Sequence, residues 1–132
     1  MRAVKRKDAK CIVIRFGEEP EIRDVVSDIH VWYDIINTDM VQILHGSMNG
    51  HKVMIICDED GKLKKNVKDK LTGFITKGGK IVSDMVGTLI IAGEFDKDEK
   101  LTSLDESLIR RFPVQRLDYA DGRITYVVSL EA

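Results

Sequence analysis

Residues 86–95, VGTLIIAGEF, are apolar at nearly every position, so neither face of the segment has a polar side to turn to water. An apolar run this short, rich in β-branched residues and followed by the polar loop DKDEK (96–100), reads as a strand buried on both faces. Gly87 and Gly93 within it mark a bulge or a close approach of backbone. Two other segments share the pattern: Cys11–Phe16 (CIVIRF), and residues 52–57, where Val53–Cys57 is apolar on both faces. Strands 11–16, 52–57 and 86–92 are therefore expected at the centre of one sheet.

Around that centre the signals are local. Glu18, Glu19 and Pro20 make a turn into a more exposed strand, Glu21–Val26. Ser27 and Asp28 open a helix whose apolar stripe is Ile29, Trp32, Tyr33 and Ile36, ended by Asn37-Thr38. Met40–His45 and Lys52–Cys57 read as a hairpin joined by the loop Gly46–Gly50, and Asp58–Gly61 as a turn. Over 62–80 the apolar points Leu63, Val67, Leu71, Phe74 and Ile75 fit a helix, while Gly73 and Gly78-Gly79 favour irregular structure. Ser103 with Glu106 matches a capping box for a second helix, with the stripe Leu104, Leu108 and Phe112, Arg110 and Arg111 in the last turn and Pro113 as its stop. Asp121-Gly122 suits a two-residue hairpin turn, which would place Leu117, Tyr119, Ile124 and Tyr126 on one face.

The expected fold is α+β: a mixed, largely antiparallel sheet with two short helices on one face and a C-terminal β-hairpin. The 132 residues suit one domain, with a basic leader (1–9), a core (10–112) and the hairpin (113–132). The chain is 43% hydrophobic, too much for disorder, and no apolar run reaches the roughly 20 residues that span a bilayer. No signal-peptide core follows the basic N-terminus. A soluble, cytoplasmic protein without a membrane partner is expected. Cys11 and Cys57 lie in apolar runs without metal-binding spacing and read as buried free thiols.

Catalytic patterns are not evident. His45 and His51 flank the expected hairpin loop, with Asp58 further along, and supply at most part of a metal site, so a metal-assisted hydrolase is the third-ranked reading. No nucleophile elbow or phosphate-cradling motif occurs, so no catalytic residue and no cofactor are assigned, and an enzyme is the lesser expectation.

The charges say more. Lys plus Arg number 21 and Asp plus Glu 22, for a formal net charge of −1. That balance conceals blocks. Residues 1–10 carry Arg2, Lys5, Arg6, Lys7 and Lys10 against Asp8, a balance of +4. Residues 62–80 carry seven lysines against Asp69, +6. Residues 18–39 carry seven acids against Arg23, −6, and residues 94–106 six acids against two lysines, −4. Segregated charge of this kind docks partners electrostatically. The favoured reading is a non-catalytic binding or regulatory protein acting through a charged surface on a macromolecular partner. The second reading is a protein that binds or sequesters a nucleotide-like phosphate ligand, also as a homo-oligomer. Candidate binding residues for both are Lys62, Lys64, Lys65, Asn66, Lys68 and Lys70, with Gly87 and Gly93 allowing backbone approach. Lysine without arginine, and with Phe74 as the block's lone aromatic, makes nucleic acid a lesser partner.

The order of motifs also resembles a known family. A strand leading into GEEPEI, a short helix, CDEDGKL, VGTLIIAG and LTSLDESLI are similar to the domain-of-unknown-function family numbered 3846, over about residues 10–112. The matching positions are Glu59, Gly61, Lys62, Leu63, Gly87, Thr88, Ile91 and Gly93. Asn37-Thr38 replaces the family's Gly-Gly-like turn, and Asn66 alone stands for its Asn-Arg pair. The resemblance implies small proteins of phages, plasmids and bacterial genomes with no established activity, and hence a host- or element-encoded protein as partner.

Overall fold

The computed structural model describes residues 8–58 and 71–131. Nine strands and two helices follow in the order β1 (Asp8–Ile14), β2 (Glu21–Val26), α1 (Ile29–Ile36), β3 (Val41–Met48), β4 (His51–Asp58), β5 (Leu71–Lys77), β6 (Lys80–Val86), β7 (Leu89–Gly93), α2 (Glu106–Arg111), β8 (Val114–Asp118) and β9 (Ile124–Leu130). They form two sheets where one was expected. The first is wholly antiparallel, in the order β2-β1-β7-β4-β3. The second, β6-β5-β9-β8, is mixed, because β5 and β9 run parallel. Apolarity on both faces marks a strand as interior without saying what covers it, which is why the second sheet goes unread.

The three doubly apolar segments do occupy the middle of the first sheet, as β1, β7 and β4. Alternation along them sends side chains to two cores. In one, Ile12, Ile91 and Ile55 stand abreast in register and face Ile75, Tyr126, Val128 and Leu130 of the second sheet, together with Leu104 and Leu108. In the other, Val13, Ile90 and Ile56 form the matching row on the far side, joined by Trp32 and Ile36 of α1 and by Leu101. The two helices thus bury their apolar residues on opposite faces of the first sheet, contrary to the expectation of one shared face.

The elements differ from the expectations in instructive ways. β1 begins at Asp8, inside the supposed leader, because Ala9 is fully buried. α1 is capped by Asp28, whose side chain accepts from the His30 amide, and ends at Asn37 with φ +62. β3 and β4 are longer than expected, and their loop is the pair Asn49-Gly50, both at positive φ as a type I′ turn demands. Residues 71–80, the described part of the 62–80 stretch read as helical or irregular, belong instead to the hairpin β5–β6, which turns at Gly78-Gly79, again with both φ positive. The run over 86–95 shortens to β7, with Gly87 (φ +75) in the bend before it.

α2 is capped by Asp105, not Ser103. The Ser103 hydroxyl instead accepts from the Lys10 amide at 2.8 Å, stitching the approach to α2 onto β1. The last hairpin is present, but its register is one residue from that expected: Asp118 faces Ile124 and Leu117 faces Thr125. Tyr119 donates its amide to Arg123 at 3.0 Å, enclosing a three-residue loop with Gly122 at φ +90. A one-residue slip exchanges faces, so Leu117 and Tyr119 lie opposite to Tyr126 rather than beside it. The Tyr119 hydroxyl reaches Thr125 Oγ1 at 3.0 Å, whereas that of Tyr126 points inward and donates to the Glu18 carbonyl at 2.8 Å.

The cysteines divide between two environments. Cys11 is fully buried, and its thiol is pushed up to about 12, mainly by burial and secondarily by the nearby Asp24 charge. Cys57 is half-buried. A disulfide-exchange reagent at mildly alkaline pH is therefore expected to titrate one thiol per folded chain and two in denaturant. Two rapidly reacting thiols in the folded state would contradict the placement of β1 inside the sheet.

Candidate functional site

The lysine block read as a binding surface, Lys62, Lys64, Lys65, Asn66, Lys68 and Lys70, lies outside the described residues. The two glycines paired with it are not neighbours. Gly87 and Gly93 lie before and at the end of β7, six residues apart, or about 20 Å at strand rise. Space beside Gly93 is already filled: a Cβ there would lie 2.4 Å from Thr102 Oγ1 and 2.6 Å from the Ser103 carbonyl. Gly93 therefore admits the chain's own 101–103 segment, to which it is bridged, rather than a ligand.

The metal candidates are also separated. His45 pairs with Met54 and His51 with Met48, so an odd number of strand positions divides them and they project from opposite faces of the β3–β4 hairpin. His45 Nδ1 lies 3.1 Å from Glu94 Oε1. On the other face, His51 Nε2 lies 3.5 Å from both Asp105 Oδ2 and Ser107 Oγ. Asp58, at the far end of β4, accepts from Thr38 Oγ1 at 2.9 Å. Among the described residues no group of three or more His, Cys, Asp or Glu side chains is placed to hold a metal ion.

The His51, Asp105 and Ser107 contact has the residue types of an acyl-transfer triad but a different wiring. The Ser107 hydroxyl donates to Asp105 Oδ2 at 2.5 Å, and the Ser107 amide donates to the same oxygen at 3.0 Å. In a triad the serine proton faces the histidine, which the carboxylate orients from its other nitrogen. Here the carboxylate takes the serine proton itself and caps α2.

These contacts hold Asp105 below the usual carboxylate range. The main causes are the hydroxyl and then the amide of Ser107, opposed by desolvation and aided by His51. Because folding lowers this pKa, the carboxylate's contribution to stability is complete above the ordinary value near 4 and is lost as pH falls through the folded value. Denaturant titrations between about pH 6 and pH 3 should therefore show wild type losing more stability than Asp105→Asn, since the cap is already neutral in the variant. Equal losses would sink this account of the cap.

The acidic blocks, unlike the other candidates, come together in part. The loop after β7 lies along α1: Phe95 stacks on Trp32 with ring centroids 6.2 Å apart, and the Leu101 amide donates to Ser27 Oγ at 2.8 Å. Asp98 and Glu99 are thereby brought to the same layer as Asp28, Asp34 and Asp39, all five exposed. Asp34, Asp39, Asp98 and Glu99 make no ion pair among the described residues. Ile29 and Met40, next in sequence to Asp28 and Asp39, are 42% and 47% exposed. Two other acids of the 18–39 block are neutralised locally: Glu19 pairs with Arg116, and Glu21 with Arg15 at 2.9 Å. The sequence signals the signs of these blocks, but the Trp32–Phe95 contact that joins them spans residues far apart in the chain.

Two shallow grooves flank α2. One, about 380 Å³, is bounded by Met48, Arg111, Pro113 and Leu130; the other, about 370 Å³, by Lys10, Leu104, Ile109 and Arg110. Both are open to solvent and lined by a mixture of apolar and charged residues.

The family model described as Domain of unknown function (DUF3846) matches residues 9–116. The chain belongs to this family. The DUF3846 span runs from the second residue of β1 into the middle of β8, so it takes in the whole first sheet and both helices. It leaves out β9, the strand that joins β5 to β8 and supplies Tyr126, Val128 and Leu130 to the core. No curated protein and no solved structure matches the chain. Among the described residues, no helix is long and apolar enough to cross a membrane.

Proposed function

We propose that the chain is a non-catalytic binding or regulatory protein of a mobile genetic element or its bacterial host, acting through a charged surface on a macromolecular partner. The observation that carries this reading is the meeting of two acidic segments, distant in sequence, around α1. Asp34 and Asp39 on one segment and Asp98 and Glu99 on the other are exposed, as are Ile29 and Met40, and the Trp32–Phe95 contact packs the two segments together. Unpaired like charges held close together repel, which opposes folding, and an oppositely charged partner relieves that repulsion. Exposed acids with exposed apolar side chains on the same segments suit the basic surface of a protein, with the charges speeding encounter and the apolar residues slowing release.

The test compares the tagged full chain with a variant carrying Asp34→Lys, Asp39→Lys, Asp98→Lys and Glu99→Lys. Both are used to retain proteins from cells of the native host. The reading expects at least one basic protein held by wild type, released by raised salt, and absent from the variant. Identical sets retained by both proteins would refute it.

A further inference from the structure

Among the described residues, the edge strands are β2 and β3 in the first sheet and β6 and β8 in the second. Exposed edges invite pairing with another chain unless charge, proline or irregularity opposes it. β2 carries Glu21, Arg23 and Asp24, with Glu21 tied to Arg15. β8 is entered through Pro113 and carries Arg116 and Asp118, joined at 2.9 Å. β3 is a shared seam rather than a free edge. The Glu131 amide donates to the Ser47 carbonyl at 2.8 Å, and Leu130 packs so closely on Gly46 that a Cβ there would lie 2.7 Å from Leu130 Cδ1.

β6 is different. Ile81 and Val82 are 64% and 57% exposed, the highest values among the exposed large hydrophobic residues. Strand alternation would hide one of two adjacent residues. Here the β5–β6 register skips Val82, since Thr76 faces Ile81 while Ile75 faces Ser83, and this bulge leaves both side chains outside the core. Lys80 and Asp84, of opposite charge, bracket the pair, and both are exposed. Neither makes an ion pair among the described residues.

We infer that β6 is the contact by which two copies of this chain associate, edge to edge and antiparallel. A two-fold contact must be self-complementary, and this strand is. Antiparallel approach that sets Lys80 of one strand beside Asp84 of its partner, twice over, centres on Val82, which faces its own copy, with each Ile81 beside the partner copy's Ser83. Parallel approach would instead set like charges side by side. The contact lies at the opposite edge of the second sheet from β8.

Sedimentation equilibrium of the full chain at micromolar concentration tests the inference, with circular dichroism to confirm folding. Wild type should sediment at twice the chain mass, and Ile81→Lys/Val82→Lys at the chain mass. Asp84→Lys alone should weaken association at least tenfold, and Lys80→Asp/Asp84→Lys, which restores opposite ends, should recover most of it. A monomeric wild type overturns the inference, and so does a dimer unaffected by the Ile81 and Val82 changes. Equal association of the single and double charge variants overturns the antiparallel arrangement.

Discussion

Gly73→Ala is expected to cost at least about 4 kcal/mol, enough to leave a domain of ordinary stability largely unfolded. The cause is not the loss of an unusual backbone angle. Gly73 lies in β5 directly opposite Tyr126 of the parallel strand β9, and a Cβ added there would stand 1.8 Å from the Tyr126 carbonyl oxygen and 2.7 Å from its carbon. Both are main-chain atoms, so no side chain can swing aside to make room. Either β9 withdraws, breaking its ladder with β5, or β5 shifts and disturbs the bulge next to Gly73. Gly17→Ala is the control, because its Cβ would meet open space and only the strain of φ +68 remains, about 1 kcal/mol. Urea unfolding of the three proteins makes the comparison. Similar midpoints for Gly73→Ala and Gly17→Ala would mean that β5 and β9 are not paired in this register.

Ile91→Ala should destabilise by about 2–5 kcal/mol. Ile91 is fully buried at the middle of the first sheet, with Ile12 and Ile55 as its in-register neighbours. Its side chain faces the core shared with the second sheet, α2 and the segment leading to it. Collapse into the resulting void would require rigid elements from both sheets to move, so the cost should fall in the upper half of that range. Ile22→Ala, on the edge strand and 44% exposed, should cost under about 1 kcal/mol. If the two changes had equal effects in denaturant melts, the packing of one sheet on the other would be wrong.

What could be read in the residues followed from how local each signal is. β1, β4 and β7 are legible because burial on two sides leaves no polar face, and that property sits in each segment alone. The bounds of β2, the αL end of α1 at Asn37 and the stop of α2 before Pro113 are legible for the same reason. Where two local readings fit equally, tertiary contacts chose. Ser103 and Asp105 can both cap a helix, and the Lys10 amide, 93 residues away, claims the serine. Asp-Gly fits a two-residue turn as well as a three-residue loop with glycine in the left-handed region, and the second is adopted. Asn49-Gly50 is a legible turn pair, but Gly46 looks equally like a loop boundary and is instead small to admit Leu130. The hairpin β5–β6 was hidden by two bulges, which break the alternation that reveals a strand.

The candidate site was less legible still. Strand parity, which a residue count supplies only once the turn is known, decides that His45 and His51 point apart. Charge sign is local, but whether a block is neutralised depends on its neighbours: Arg116 takes Glu19, whereas Phe95 and Trp32 bring Asp98 and Glu99 to the acids of α1.

The parallel pairing of β5 with β9 has a consequence for how the chain is made. Tyr126 is synthesised about 50 residues after the Gly73 it pairs with, whereas every strand of the first sheet is complete once Gly93 has been added. For that interval the face bearing Ile12, Ile14, Val53, Ile55, Leu89 and Ile91 has no full second sheet to cover it. Long-range pairing of this kind is slow, and an apolar surface waiting for it is exposed to aggregation. Yield in the cell should therefore depend on translation speed and chaperones through the 94–130 stretch more than on anything upstream.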